Sequence, residues 1–192
     1  MAAGAFDTTF NGAGSDAFVT RLDPAGSSLV YSTYLGGLGD GYASDLALDA
    51  TGAATVCGLT DSANFPTTAG AFDTSYNGGI ADAFVSRLDP SGSSLIYSTY
   101  LGGSGYDDAH AVAVDANGSA TITGTTNSTA FPTTGGAFDA THNRGLDAFV
   151  TRLHLAGAVL VYSTYLGGDG DTSDSGLDIS VDGSGYAHVV GG

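Results

Sequence analysis

Three observations predict an all-β protein assembled from β-propeller blades. A unit of about 66 residues recurs in tandem along the 192-residue chain. Each copy reads as four short strands separated by tight turns. No stretch has helical periodicity or a helix cap. Four antiparallel strands per repeat are the composition of one propeller blade.

The repeat is visible without reference to any other protein. DAFVTRLDPAGSSLVYSTYLGG begins at Asp16, DAFVSRLDPSGSSLIYSTYLGG at Asp82 and DAFVTRLHLAGAVLVYSTYLGG at Asp147, spacings of 66 and 65 residues. A second block follows each one, from Asp45, from Ala111 and from Asp178. In it Leu46/Leu48, Val112/Val114 and Ile179/Val181 alternate with small residues, which marks a first strand. Asp-x-x-Gly turns at 49–52, 115–118 and 182–185 lead into a Thr/Val-rich second strand. AFVTRL is the third strand, and Asp-Pro-x-Gly at 23–26 and 89–92 turns it into the fourth, SLVYSTYL. The third copy has His154-Leu155 at that turn, a change expected to relax it without threatening the blade. A third block, FPTTAGAFDTSYNGG from Phe65 and FPTTGGAFDATHNRG from Phe131, fills a connection of about 20 residues between strands two and three. Its repeated Phe positions predict an ordered connection anchored by Phe65, Phe72, Phe131 and Phe138.

Composition narrows the functional classes. The chain has 31 glycines, no lysine, four arginines and 20 acidic residues, all of them Asp, for a formal charge of −16. Such a surface lacks the basic patches that neutralise nucleic-acid phosphates. It fits an extracellular or high-salt setting, or the uptake of divalent cations. The single cysteine, Cys57, excludes an intrachain disulfide. No apolar run reaches membrane-spanning length. Residues 1–10 have neither the basic nor the apolar region of a signal peptide, so an export signal is expected outside this chain.

The string YSTYLGGSGYDDAHAVAVDANGSATITGTTNSTAFPTT (97–134) resembles the bacterial β-propeller repeat family called SBBP, and the resemblance extends over nearly the whole chain. It implies a propeller within a secreted or cell-surface bacterial protein and no defined chemistry. VAVDANGSATITG is similar to the two inner strands of related propellers, which makes DAFVSRL and SLIYSTYL the outer pair. On that phase the chain is a single propeller segment, 1–192. It comprises an outer hairpin (16–36), complete blades at 45–102 and 111–167, and an inner hairpin (176–191). These are three blade-equivalents, with one blade split between the termini. A ring needs about four to eight blades, so the two half-blades are expected to leave exposed strand edges that pair with another copy, or with remaining blades of a longer parent chain.

Alternating strand direction gathers the long connections on one face, which is acidic. Asp107, Asp108, Asp169, Asp171 and Asp174 are the candidate metal ligands there. Hard cations such as Ca²⁺ take several oxygen ligands, although the spacing is not that of an EF-hand. Calcium is the one cofactor under consideration, and solvated loops are the plainer reading. Arg21, Arg87 and Arg152 occupy one repeat position and read as Arg–carboxylate stitches. Tyr31/Tyr34, Tyr97/Tyr100 and Tyr162/Tyr165 read as packing between blades. His110, His142, His154 and His188 do not recur at equivalent positions or in a zinc spacing, and no serine lies in a nucleophile elbow. The expectation is therefore a non-enzymatic structural and interaction module, assembling head-to-tail into a ring or filament. The alternatives are a carbohydrate-binding propeller using Tyr76-Asn77-Gly78 and His142-Asn143-Arg144, and a metal-assisted lyase or hydrolase centred on 169–178.

Overall fold

Glycines in the left-handed region close the hairpins. In the computed structural model, which describes residues 4–12, 14–168 and 173–192, Gly52, Gly118 and Gly185 have φ of 84°, 88° and 88°. Each N–H donates to the carbonyl of the Asp three positions back, as Gly52 N does to Asp49 O at 3.0 Å. A side chain is disfavoured at that φ. The Asp carboxylate completes the turn: Asp49 Oδ1 accepts from Thr51 N at 2.8 Å and Ala53 N at 3.1 Å. At the other turn class, Asp89 Oδ1 accepts from Ser93 N at 2.7 Å. His154 replaces that Asp in the third copy, yet Gly157 N still donates to His154 O at 2.7 Å. His154 Nδ1 takes over part of the capping by accepting from Ala156 N at 3.3 Å.

Between these turns run twelve strands. They are β1 (Ala17–Leu22), β2 (Leu29–Leu35), β3 (Gly41–Leu48), β4 (Ala54–Thr60), β5 (Asp82–Leu88) and β6 (Leu95–Leu101), then β7 (Asp107–Val114), β8 (Ala120–Thr126), β9 (Asp147–Leu153), β10 (Leu160–Leu166), β11 (Gly176–Val181) and β12 (Ala187–Gly191). No helix occurs among the described residues. Strands β3 to β6 and β7 to β10 form two four-stranded sheets with sequential neighbours, while β1–β2 and β11–β12 form two-stranded sheets. All the pairings within these sheets are antiparallel. The all-β, blade-like architecture is thus observed.

Apolar faces join the sheets in a row. Val19, Tyr31 and Leu35 of the first hairpin pack on Val56, Phe84, Leu88 and Tyr100 of the first four-stranded sheet. The opposite face of that sheet, with Cys57, Val85 and Tyr97, packs on Ile122, Phe149 and Leu153 of the second. A smaller cluster of Ala111, Val150 and Ile179 ties on the last hairpin. Strand β7 touches β3 and β4 of the preceding sheet and β11 of the following one. Bonds between sheets reinforce this packing, for Val112 N donates to Asp45 Oδ2 at 2.9 Å.

The long connection is ordered, and it covers the outer edge of each sheet. Along β6, Thr68 N donates to Ser98 O and Tyr100 N to Asp73 O, both at 3.0 Å. Along β10, Thr134 N donates to Ser163 O and Tyr165 N to Asp139 O, also at 3.0 Å. Phe65 and Phe131 are buried, with rings 4.5 and 4.6 Å from Phe84 and Phe149. The Tyr100 hydroxyl donates to Ser62 O at 2.6 Å and accepts from Phe65 N at 3.0 Å. Tyr165 repeats both bonds with Ser128 and Phe131. Phe72 is partly buried against the second sheet, and its N–H reaches Gly157 O at 2.8 Å. Phe138 departs from expectation: it is 83% exposed and anchors nothing. The turn that seats Phe72 belongs to the next outer hairpin, and the hairpin that would follow Phe138 is not among the described strands.

Replacing Tyr100 with Phe removes one donor and one acceptor from a buried anchor. The expected cost is about 1–3 kcal/mol of unfolding free energy, measured by equilibrium urea denaturation.

Candidate functional site

The acidic connections are built inward. Asp107 opens β7 and is fully buried. It accepts from Thr126 Oγ1, from Gly103 N at 2.9 Å and from Ser128 Oγ at 2.8 Å. Burial pushes its carboxyl above the ordinary range. Asp108 Oδ2 accepts from Tyr106 OH at 2.9 Å and lies 3.3 Å from His110 Nε2. Asp174, the repeat equivalent of Asp107, holds Gly168 N at 2.9 Å. Asp169 and Asp171 lie outside the described residues. Among the described residues no three His, Cys, Asp or Glu side chains converge on one point. Asp107 and Asp174 thus hold the Gly-Gly bend that follows β6 and β10.

A second set of carboxylates escaped sequence reasoning, although each stands at the head of the DAFV block. Asp16, Asp82 and Asp147 use one oxygen to accept from the N–H of Asn11 at 2.6 Å, Asn77 at 2.7 Å and Asn143 at 2.8 Å. The other oxygen of each is buried without a partner. Burial, reinforced by the charge of Asp107, pushes Asp82 up to about 7.

Asp108, His110 and Ser175 come together as an acid, an imidazole and a hydroxyl. His110 Nδ1 lies 2.9 Å from Gly176 O, an acceptor, so that nitrogen must carry a proton. With Asp108 on the other nitrogen, the imidazole is held above its usual pKa. Ser175 Oγ is 3.4 Å from that occupied nitrogen and 2.7 Å from Thr125 Oγ1. The arrangement ties β7 to β11. Cys57 is fully buried, and desolvation raises its thiol far above the usual range. The aromatics of the two Asn-containing loops are packed: Tyr76 against Tyr100 at 6.1 Å and His142 against Tyr165 at 6.0 Å.

The repeated arginines are clasps. Arg87 Nη2 pairs with Asp49, while Nη1 donates to Gly118 O at 3.1 Å and Leu155 O at 3.2 Å on the neighbouring sheet. Arg152 pairs with Asp115 and donates to Gly185 O at 3.0 Å. Burial opposes ionisation of Asp49, but bonds from Thr51, Ala53 and Arg87 outweigh it and hold the carboxyl near about 2. Opposite Arg21 and Arg87 a tyrosine lies against a turn glycine of the next sheet. A Cβ at Gly92 would collide with Tyr31, and one at Gly157 with Tyr97. Arg21 keeps the contact to the next sheet, donating to Pro90 O at 3.2 Å. Its own-sheet position for a carboxylate falls at a turn that the first hairpin lacks.

That gap belongs to a wider asymmetry. Phe18 and Leu22 are 65% and 56% exposed, whereas their equivalents Phe84, Leu88, Phe149 and Leu153 are 0% exposed. Among the described residues strand β1 pairs only with β2, and β12 only with β11. A groove of about 550 Å³ lies between the start of β1 and β3. Another of about 450 Å³ lies at the opposite end, between β12 and residues Val150, Tyr162, Thr164 and Leu166. Both ends of the row are open.

The family model for the SBBP β-propeller repeat matches residues 96–132, which run from β6 through β8 to the Phe131 anchor. No curated protein matches the chain.

Two outcomes follow from the buried charges. The folded state keeps a proton on Asp82 up to about pH 7, whereas an unfolded Asp releases it near 3.8. The stability it contributes is complete below that lower value and is lost as pH rises through 7. Melting temperature should therefore fall between pH 5 and pH 8, and Asp82→Asn should flatten that slope and raise the midpoint at pH 8. Arg87→Ala strands Asp49 beneath the next sheet and should cost about 3–5 kcal/mol in chemical denaturation.

Proposed function

We propose that this chain, which carries the SBBP β-propeller repeat, is a non-enzymatic structural and interaction module of a secreted or cell-surface bacterial protein. On this reading β3 to β6 and β7 to β10 are whole blades. The β1–β2 hairpin is the outer half of a further blade, and β11–β12 is the inner half. The halves join head-to-tail between copies. Two copies supply about six blades, within the usual range for a closed ring. If the rotation between copies does not close, a filament results.

One observation carries the reading. Residues that are buried in both four-stranded sheets are exposed in the first hairpin, on the face that in each four-stranded sheet packs against the preceding sheet. Unpaired edges and exposed apolar side chains in that arrangement favour pairing with a complementary strand. Secretion rests on the acidic, lysine-free composition and on the family resemblance.

Sedimentation velocity at about micromolar to 100 micromolar concentration tests the assembly. A discrete dimer, or a ladder that grows with concentration, is expected. A monomer throughout that range overturns head-to-tail joining.

A further inference from the structure

We infer that Arg21 of one copy and Asp182 of the next form the ion pair that latches the shared blade and sets the register of its joint. The inference rests on the head-to-tail reading. It deepens that reading by assigning the residues that recognise a second copy.

The repeat supplies the geometry. In both complete sheets the third-strand arginine pairs with the Asp of the turn between strands one and two: Arg87 with Asp49, Arg152 with Asp115. Arg21 is the third such arginine and Asp182 the third such aspartate. They lie at opposite ends of the chain, one in the β1–β2 sheet and the other at the turn of the β11–β12 sheet. Each already makes other contacts of its class, although Arg21 has no bond to Gly52 O to match those of Arg87 and Arg152 to Gly118 O and Gly185 O. Arg21 donates to Pro90 O as Arg87 does to Leu155 O. Asp182 Oδ1 caps its turn through Ser184 N at 2.8 Å and Tyr186 N at 3.0 Å, as Asp115 does through Asn117 N and Ser119 N. Among the described residues its Oδ2 faces only His188 Nε2, at 3.7 Å on an exposed side chain. The two unfilled positions are opposite in charge and equivalent in place.

The strand register agrees. Strand β4 pairs with β5 so that Cys57 faces Val85 and Gly58 faces Phe84, and β8 pairs with β9 identically. Carried to the open edges, Val190 of one copy faces Val19 of the next, and Gly191 faces Phe18. That register delivers Asp182 to Arg21. It also brings the Gly26 turn over Phe138, since Phe6 N meets Gly92 O and Phe72 N meets Gly157 O, each at 2.8 Å. The exposed Phe138 is thereby covered in the same step.

Charge exchange tests the latch by sedimentation. Arg21→Asp and Asp182→Arg should each weaken association about tenfold or more, and the double exchange should restore most of it. Cysteines replacing Val19 and Val190, with Cys57→Thr, report register without altering charge. They should give intermolecular disulfides on a non-reducing gel, and a Val19/Val189 pair should not. A wild-type monomer overturns the head-to-tail reading itself. Association that survives both single exchanges, or that the double exchange fails to restore, overturns the latch while assembly stands. Cross-linking at Val189 rather than Val190 overturns the register.

Discussion

A strand at the edge of a sheet carries a row of amide and carbonyl groups that must find partners in protein or water. Much else in this chain answers that requirement. The outer edges of β2, β6 and β10 are covered by a connection from the same repeat, with Asp7, Asp73 and Asp139 carbonyls each accepting from the strand. The connection can do this only if it is held down. A buried phenylalanine and a tyrosine hydroxyl hold it, bonded at both ends of one short stretch. A loop of about 20 residues is thus part of the sheet rather than an ornament on it.

The same repeat unit experiences three environments. Phe84 and Phe149 are core because the preceding sheet packs on their face and Phe65 or Phe131 lies against each ring; Phe18 has no such sheet packed on it and faces solvent. Sequence identity sets what a residue offers, and its neighbours decide what it becomes. The charged groups behave likewise. Arg87 and Asp49 form a buried pair, whereas the chemically identical Arg21 and Asp182 stay apart at opposite ends.

Much of this architecture was legible in the residues. Turn glycines, alternating strands and their order in each copy are local signals, and local signals survive in a single sequence. The arginine stitches were readable because they repeat. The acidic candidates read less well. Asp107 appears in a run of polar loop residues, but its partners Thr126 and Ser128 lie on and just beyond β8, and no spacing rule announces that they meet. Asp82 was hidden in plain view at the head of a motif, since a short alternating strand does not reveal that its first carboxyl is buried. Phe138 looked like Phe72 in every local respect. Its exposure depends on a turn that would have to come from elsewhere.

The tyrosine seated on a turn glycine has a consequence for how such a molecule can change over generations. Tyr97 and Gly157 occupy repeat positions, so every unit brings both the peg and the socket of its joint. A duplicated stretch arrives already fitted to the neighbours on either side, and a deleted one leaves ends that still match. Lengthening or shortening the array requires no new interface. The number of blades becomes a quantity that recombination can vary freely, limited only by the angle between successive sheets and by whether the last can meet the first.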